Sequence, residues 1–192
     1  MAVTALRQNY SSGNSVDRLR EIIRTKSLMR GDSFNLSSGE TSDYFFNMKM
    51  TMLDPEGANL IAEIILDCPE LEGATSIGGL EMGAVPIVSV VSARSFYTTR
   101  AIPAFFVRKE RKGHGTNLLI DGYLKADTRV VLVDDVTTTG GSVMKAIDAA
   151  RGAGCTVDTV ITVVDRLEGA KNNLRQKGIQ LVALYTRADF ED

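Results

Sequence analysis

Residues 130–142 read VVLVDDVTTTGGS, an apolar run that ends in two adjacent acids and then passes through hydroxyls and glycines. In an open α/β sheet ligands bind at the carboxyl ends of the strands, so chemistry is expected here. Residues 137–142 can wrap an anion with consecutive backbone N–H groups, because Gly140 and Gly141 allow close approach and a following helix would present its N-terminus. The hydroxyls of Thr138, Thr139 and Ser142 add donors, a combination that suits a terminal phosphate. Asp134 and Asp135 would repel a phosphate and need donors or a metal instead. Two neighbouring ribose hydroxyls are such donors, and the negative field of the pair favours positive charge growing on a nearby carbon. A sugar phosphate therefore satisfies both halves of the segment. The plainer reading is a solvated strand end followed by a helix cap; the consistent order of strand, paired acids, hydroxyls and glycines speaks against it. Neither Gly-x-Gly-x-x-Gly nor Gly-Lys-Ser/Thr occurs there, so the dinucleotide and P-loop signatures are absent.

Three further segments carry candidate groups. Residues 105–115, FFVRKERKGHG, set Arg108, Lys109, Arg111 and Lys112 against the lone acid Glu110, then Gly113, His114 and Gly115. Such a loop suits a clamp that neutralises an anionic leaving group, and equally a solvated basic turn. Residues 34–47, FNLSSGETSDYFFN, place Phe45 beside Phe46, which offers an aromatic wall to a flat ligand or simply packs one ring inward. Residues 163–170, VVDRLEGA, hold Arg166, whose guanidinium matches a carboxylate fork or forms an ion pair with Glu168 or Asp165.

The elements that must position these groups follow from periodicity. Apolar residues at Val16, Leu19, Ile22 and Ile23 predict a helix over 16–28, with Ser15 or Asp17 as its cap. Two short strands are expected at 33–36 and 42–47, separated by Ser38-Gly39 turn chemistry. Asp54-Pro55 has the form of a capped helix start, and Leu60, Ile61, Ile64 and Ile65 form the inward face. Strands at 75–77, 103–107, 129–133, 157–164 and 180–185 then alternate with helices at 84–95, 142–153 and 169–177. The runs 130–133 and 160–164 are apolar on both faces, as strands covered by helices on both sides must be. The fold class is thus α/β, with a mainly parallel central sheet flanked by helices. Residues 1–14 lack an apolar period and are expected to form a loose extension, and 108–122 is read as one long functional loop.

The chain has 192 residues, 44% hydrophobic and 24% charged, enough for one compact domain with a substantial core. A formal net charge of −2 supplies no general attraction to nucleic acid or anionic lipid, so neither is expected as a partner. Cys68 and Cys155 stand far apart with no Cys-x-x-Cys spacing and read as reduced thiols. No basic segment with an apolar core opens the chain, and no run of about 18 apolar residues occurs. A cytoplasmic location is the expectation.

Residues 130–142 resemble the phosphoribosyl diphosphate (PRPP) motif of the type I phosphoribosyltransferases, and residues 105–115 resemble the basic loop of the orotate phosphoribosyltransferases. The resemblance extends over about residues 30–170 and includes 34–47 and 163–170. It implies a small N-terminal hood at about 15–50 on a single phosphoribosyltransferase domain spanning 1–192. The implied reaction is magnesium-dependent transfer of the phosphoribosyl group from PRPP to orotate, giving orotidine 5′-monophosphate and pyrophosphate in UMP biosynthesis. Asp134, Asp135, Lys112 and His114 would be catalytic. PRPP would be held by these four with Arg108, Lys109, Val136, Thr137, Thr138, Thr139, Gly140, Gly141 and Ser142. Orotate would meet Phe45, Phe46, Thr138 and Arg166. Mg²⁺ would be held mainly through substrate, and a homodimer is implied in which the 108–122 loop is shared across subunits. Two positions depart from the family pattern: Met82 and Ser37 stand where many members carry lysine. A purine or uracil phosphoribosyltransferase shares the first motif but not the basic loop, and a PRPP sensor without catalysis is the reading from another class.

Overall fold

The computed structural model describes residues 13–35, 41–110 and 119–191. At its centre lies a four-stranded parallel sheet, β3 (Ser76–Gly78), β6 (Arg129–Thr137), β7 (Thr156–Asp165) and β8 (Gln180–Thr186), in the order β3-β6-β7-β8. Alternation along β6 explains the doubly apolar sequence. Val131 and Val133 face one core with Ile61, Ile87 and Val91, whereas Val130 and Leu132 face a second core with Ala146, Ile147 and Leu174. Successive side chains of a strand point to opposite faces, so both faces must be apolar once helices cover them.

The first face is covered by α1 (Gly13–Ile22), α3 (Pro55–Leu66) and α4 (Ala84–Ser95), the second by α5 (Gly141–Gly152) and α6 (Ala170–Arg175). Helix α3 begins as its sequence predicts: Asp54 Oδ1 accepts the Gly57 N–H at 2.9 Å, and Pro55 occupies the first turn. Helix α1 departs from the expected start. It begins at Gly13, and Ser15 is inside it, donating its hydroxyl to Glu63 Oε1 at 2.8 Å. A π-helical turn, Ile23–Ser27, then leads into a strand pair.

That pair is an antiparallel hairpin of β1 (Leu28–Asn35) and β2 (Thr41–Phe46), followed by the short α2 (Lys49–Met52). An edge-to-face series of rings ties it to the end of the sheet: Tyr44 to Phe46 at 5.7 Å, Phe46 to Phe190 at 5.3 Å, Phe190 to Tyr185 at 5.8 Å. Such contacts favour these centroid distances and fix the hairpin's angle. Buried Tyr185 also donates its hydroxyl to the Val16 carbonyl at 2.6 Å.

The long loop expected at 108–122 is shorter than the sequence suggests. Its end forms β5 (Ile120–Gly122), antiparallel to β4 (Phe105–Val107). Isolated parallel bridges, Ile77 with Ala104 and Leu80 with Val107, hold β4 beside β3. Among the described residues no helix is long and apolar enough to cross a membrane.

Candidate active site

At the carboxyl end of β6, Asp134 and Asp135 stand side by side over a cleft of about 610 Å³. Phe45, Phe46, Lys49, Leu80, Lys109, residues 134–142, Lys145 and Arg166 line it. The structure therefore brings the acid pair, the Thr/Gly loop, the aromatic pair and Arg166 into one space. Lys112 and His114, like Ser37, lie outside the described residues.

Each acid is held by backbone. Asp134 Oδ1 accepts the Asp135 N–H at 3.1 Å, and Asp135 Oδ1 accepts the Val136 N–H at 2.9 Å. Burial pushes the Asp134 carboxyl well above the usual carboxylate range, and the neighbouring charge of Asp135 adds to this. Burial likewise raises Asp135, opposed by its bond from Val136 and by the positive charge of Lys49. A buried acid pair whose charge is disfavoured by burial is suited to a ligand that brings donors and positive charge.

The loop from Gly79 to Gly83 comes against the pair from the β3 side. A Cβ on Gly83 would sit 2.4 Å from Asp135 Oδ1 and 3.1 Å from Asp134 Oδ1, and one on Gly79 would sit 2.3 Å from the Val133 carbonyl oxygen. Only glycine allows this approach, since real Cβ contacts do not come that close. Its role at the acids is not visible in sequence, because about fifty positions separate Gly83 from them.

After the acids, β6 runs on to Thr137, longer than the sequence predicts, and Gly140 turns the chain into α5 with φ of 87°. Thr137 is buried and its Oγ1 lies 2.9 Å from Thr162 Oγ1, so its hydroxyl is engaged within the sheet. Thr138, Thr139, Gly141 and Ser142 front the cleft at the start of α5. Behind this loop stands the segment after β7. The Arg166 N–H donates to the Thr137 carbonyl at 2.9 Å, the Ala170 N–H to Thr138 at 3.1 Å, and Asn173 Nδ2 to Thr139 at 2.9 Å.

Arg166 is only 4% exposed, so it is no surface ion-pair residue. Its guanidinium lies 4.4 Å over the Tyr44 ring, donates to Tyr44 Oη at 3.1 Å and to Ser42 Oγ at 3.2 Å, and pairs with Glu168 at 2.8 Å. The ion pair with Glu168 foreseen from sequence is thus real, with the arginine buried at the cleft and the acid part-exposed behind it. Tyr44 and Ser42 were not foreseen as its partners, and no local signal in residues 41–46 could have found them, since they lie more than 120 positions from Arg166. Phe46 is buried, and Phe45 is 36% exposed with its ring 6.0 Å from Phe34, so the pair splits between core and cleft wall.

Of the basic loop, Lys109 lines the cleft, and its N–H donates to Glu81 Oε1 at 3.0 Å. Arg108 is turned away. It pairs with Asp121 on β5, lies 3.9 Å from Glu81, and sits 5.3 Å over the Phe106 ring. Lys145, one turn into α5, also reaches the cleft and carries no sequence signal beyond its spacing from Ser142.

Residues 51–178 match the phosphoribosyl transferase domain family. An orotate phosphoribosyltransferase of a Bradyrhizobium species is 47% identical over 184 residues, covering 94% of this chain and 99% of that protein. One from a Nostoc species is 41% identical, covering 91% and 84%. The crystal structure of Mycobacterium tuberculosis orotate phosphoribosyltransferase with Fe(III) dicitrate superposes with a TM-score of 0.80 at 31% identity, covering 93% of this chain and 99% of that one. A structure of the same mycobacterial enzyme in complex with PRPP gives a TM-score of 0.75 at 26% identity, covering 94% and 93%.

Proposed function

The chain belongs to the orotate phosphoribosyltransferases, a branch of the phosphoribosyl transferase family, and from that membership we propose that it transfers the phosphoribosyl group of PRPP to orotate, yielding orotidine 5′-monophosphate and pyrophosphate on the route to UMP. The observation that carries the reading is the union, in one cleft, of a buried acid pair, a Thr/Gly loop at a helix start, and an arginine beside an aromatic wall. Each part matches one piece of the two substrates.

In this reading residues 137–142 hold the 5-phosphate on backbone N–H groups and on the hydroxyls of Thr138, Thr139 and Ser142. Asp134 and Asp135 accept hydrogen bonds from the ribose hydroxyls. Their charge, disfavoured by burial, stabilises the cationic ribosyl centre as the C1–oxygen bond to diphosphate breaks and the bond to the base nitrogen forms. Arg166 takes the orotate carboxylate, exchanging Glu168 for it, and Phe45 supplies a flat wall. Lys109, Lys112 and His114 neutralise the departing pyrophosphate, and His114 or Lys112 supplies a proton if one is needed. Arg108, turned from this cleft, fits a loop that serves the neighbouring subunit of a homodimer. A cytoplasmic location, with reduced Cys68 and Cys155, belongs to the same reading; both thiols are free and buried.

Magnesium fits the donor set. Two carboxylates alone suit a hard ion that takes its remaining ligands from water and substrate oxygens. Among the described residues no group of three or more His, Cys, Asp or Glu side chains gathers elsewhere as a metal site. Asp134 and Asp135 would hold it together with the substrate. Bound there, it would supply positive charge to the diphosphate as leaving group.

The test is the fall in orotate ultraviolet absorbance on mixing with PRPP and Mg²⁺, with adenine, guanine and uracil as competitors. Consumption of orotate alone is expected. If only another base is consumed, the orotate assignment fails.

A further inference from the structure

We propose that Lys49, the first residue of α2, is a contact for the diphosphate group of PRPP and for pyrophosphate. The inference rests on the reading above and adds a residue to it. Three anionic groups have to be held in the cleft: a 5-phosphate, a base carboxylate and a diphosphate. The Thr/Gly loop suits the first and Arg166 the second. For the third, the neighbouring loop offers no cation, since it approaches the acids through Gly83 and carries Glu81 and Met82, the latter 58% exposed. The positive charge must come from the other walls.

Lys49 stands on such a wall. It lies three residues beyond Phe46, lines the same cleft, and is close enough to the acids for its charge to draw the Asp135 carboxyl down against burial. Arg166 and Arg108 are already engaged, by Glu168 and by Asp121. Among the described residues the Lys49 ammonium has no hydrogen-bond or ion-pair partner, so it can meet an incoming anion without breaking a contact. A compact ammonium on a flexible stem suits a diphosphate that binds, reacts and leaves.

Its exposed side chain makes the substitution structurally mild. Calorimetric titration of the full-length protein with pyrophosphate and with PRPP, both with Mg²⁺, compares wild type with K49Q and K49R. A lost charge-assisted contact weakens binding by about ten- to a hundredfold. K49Q should lose that much for both ligands, K49R should recover most of it, and the orotate KM should move less than about twofold, on the same order as measurement scatter. Unchanged pyrophosphate affinity in K49Q overturns the proposal. So does a loss confined to the orotate KM, or one accompanied by a lowered melting temperature and weakened binding of every ligand. Because pyrophosphate binding does not involve the base, the outcome stands apart from the orotate assay: a wild type that consumes another base overturns the base assignment and leaves this comparison decisive for Lys49.

Discussion

Replacing Asp134 with asparagine should make the empty protein more stable while disabling it. Asp134 is 8% exposed, and its ionisation is opposed first by burial and then by the charge of Asp135. For a carboxyl whose folded-state pKa stands above its unfolded value, ionisation works against the fold: stability is complete below the unfolded pKa, about 4, and declines as pH rises through the folded one. Two unit charges about 4 Å apart repel by about 4 kcal/mol at an effective dielectric constant of about 20. The backbone N–H bonds to each acid and the field of Lys49 offset part of this, which leaves a gain on the order of 1–2 kcal/mol for the variant near neutrality. Asparagine Oδ1 can still accept the Asp135 N–H, so the local backbone keeps its bond. At about 2–4 °C per kcal/mol for a chain of this size, the melting temperature should rise by about 2–8 °C at pH 8 and hardly at all near pH 4, because at about 1.4 kcal/mol per pKa unit an effect of this size develops within about two units above the unfolded pKa. Turnover should fall by about 100-fold or more, since a group aimed at developing charge is lost. Thermal unfolding of both proteins from about pH 4 to pH 8 without ligand is the assay. A variant no more stable than wild type at pH 8, or one whose advantage is the same at every pH, would refute the electrostatic account.

Three other substitutions probe separate parts of the site. Gly83→Ala forces a Cβ to within 2.4 Å of Asp135 Oδ1 and should raise the PRPP KM and cut kcat/KM by more than about tenfold, with near-wild-type far-ultraviolet circular dichroism; unimpaired kinetics would show the contact to be dispensable. Arg166→Lys keeps the charge but loses the fork and the stacking on Tyr44, so the orotate KM should rise by about ten- to a hundredfold with little change for PRPP, as steady-state kinetics with each substrate varied will reveal. Tyr185→Phe removes the second donor to the Val16 carbonyl, which keeps its bond within α1, and should cost about 0.5–1.5 kcal/mol in urea unfolding, with turnover retained at temperatures where the variant is folded.

The parts of the molecule legible in sequence are those whose signal is local. The doubly apolar runs of β6 and β7, the Asp54-Pro55 start of α3 and the extent of α4 all follow from residues within a few positions of one another. The ordered run of acids, hydroxyls and glycines likewise located the cleft. Strand β5 escaped because three residues are too few to show alternation, and its identity comes from pairing with β4. The start of α1 was misplaced because Ser15 resembles a cap while its hydroxyl serves Glu63, 48 residues away. Arg166 was found as a candidate, but its burial could not be read from the chain. Tyr44 and Ser42 reach it from the hairpin, more than 120 residues earlier. The orientation of Arg108 toward Asp121 depends in the same way on a strand the sequence did not announce.

The three hydrogen bonds that join residues 166–173 to the backs of Thr137, Thr138 and Thr139 have a consequence for how such a site diversifies. In the proposed reading they join the phosphate cradle and the carboxylate-reading arginine into one gauge, held by two main-chain donors and the Asn173 side-chain amide, so that the span between nucleobase and 5′-phosphate is set by the segment behind the loop. A nucleotide has a fixed span too, so the gauge can remain while the reading head is exchanged. A new acceptor base then demands a change at position 166 and on the hairpin wall facing it, and leaves the cradle and the sheet beneath it untouched.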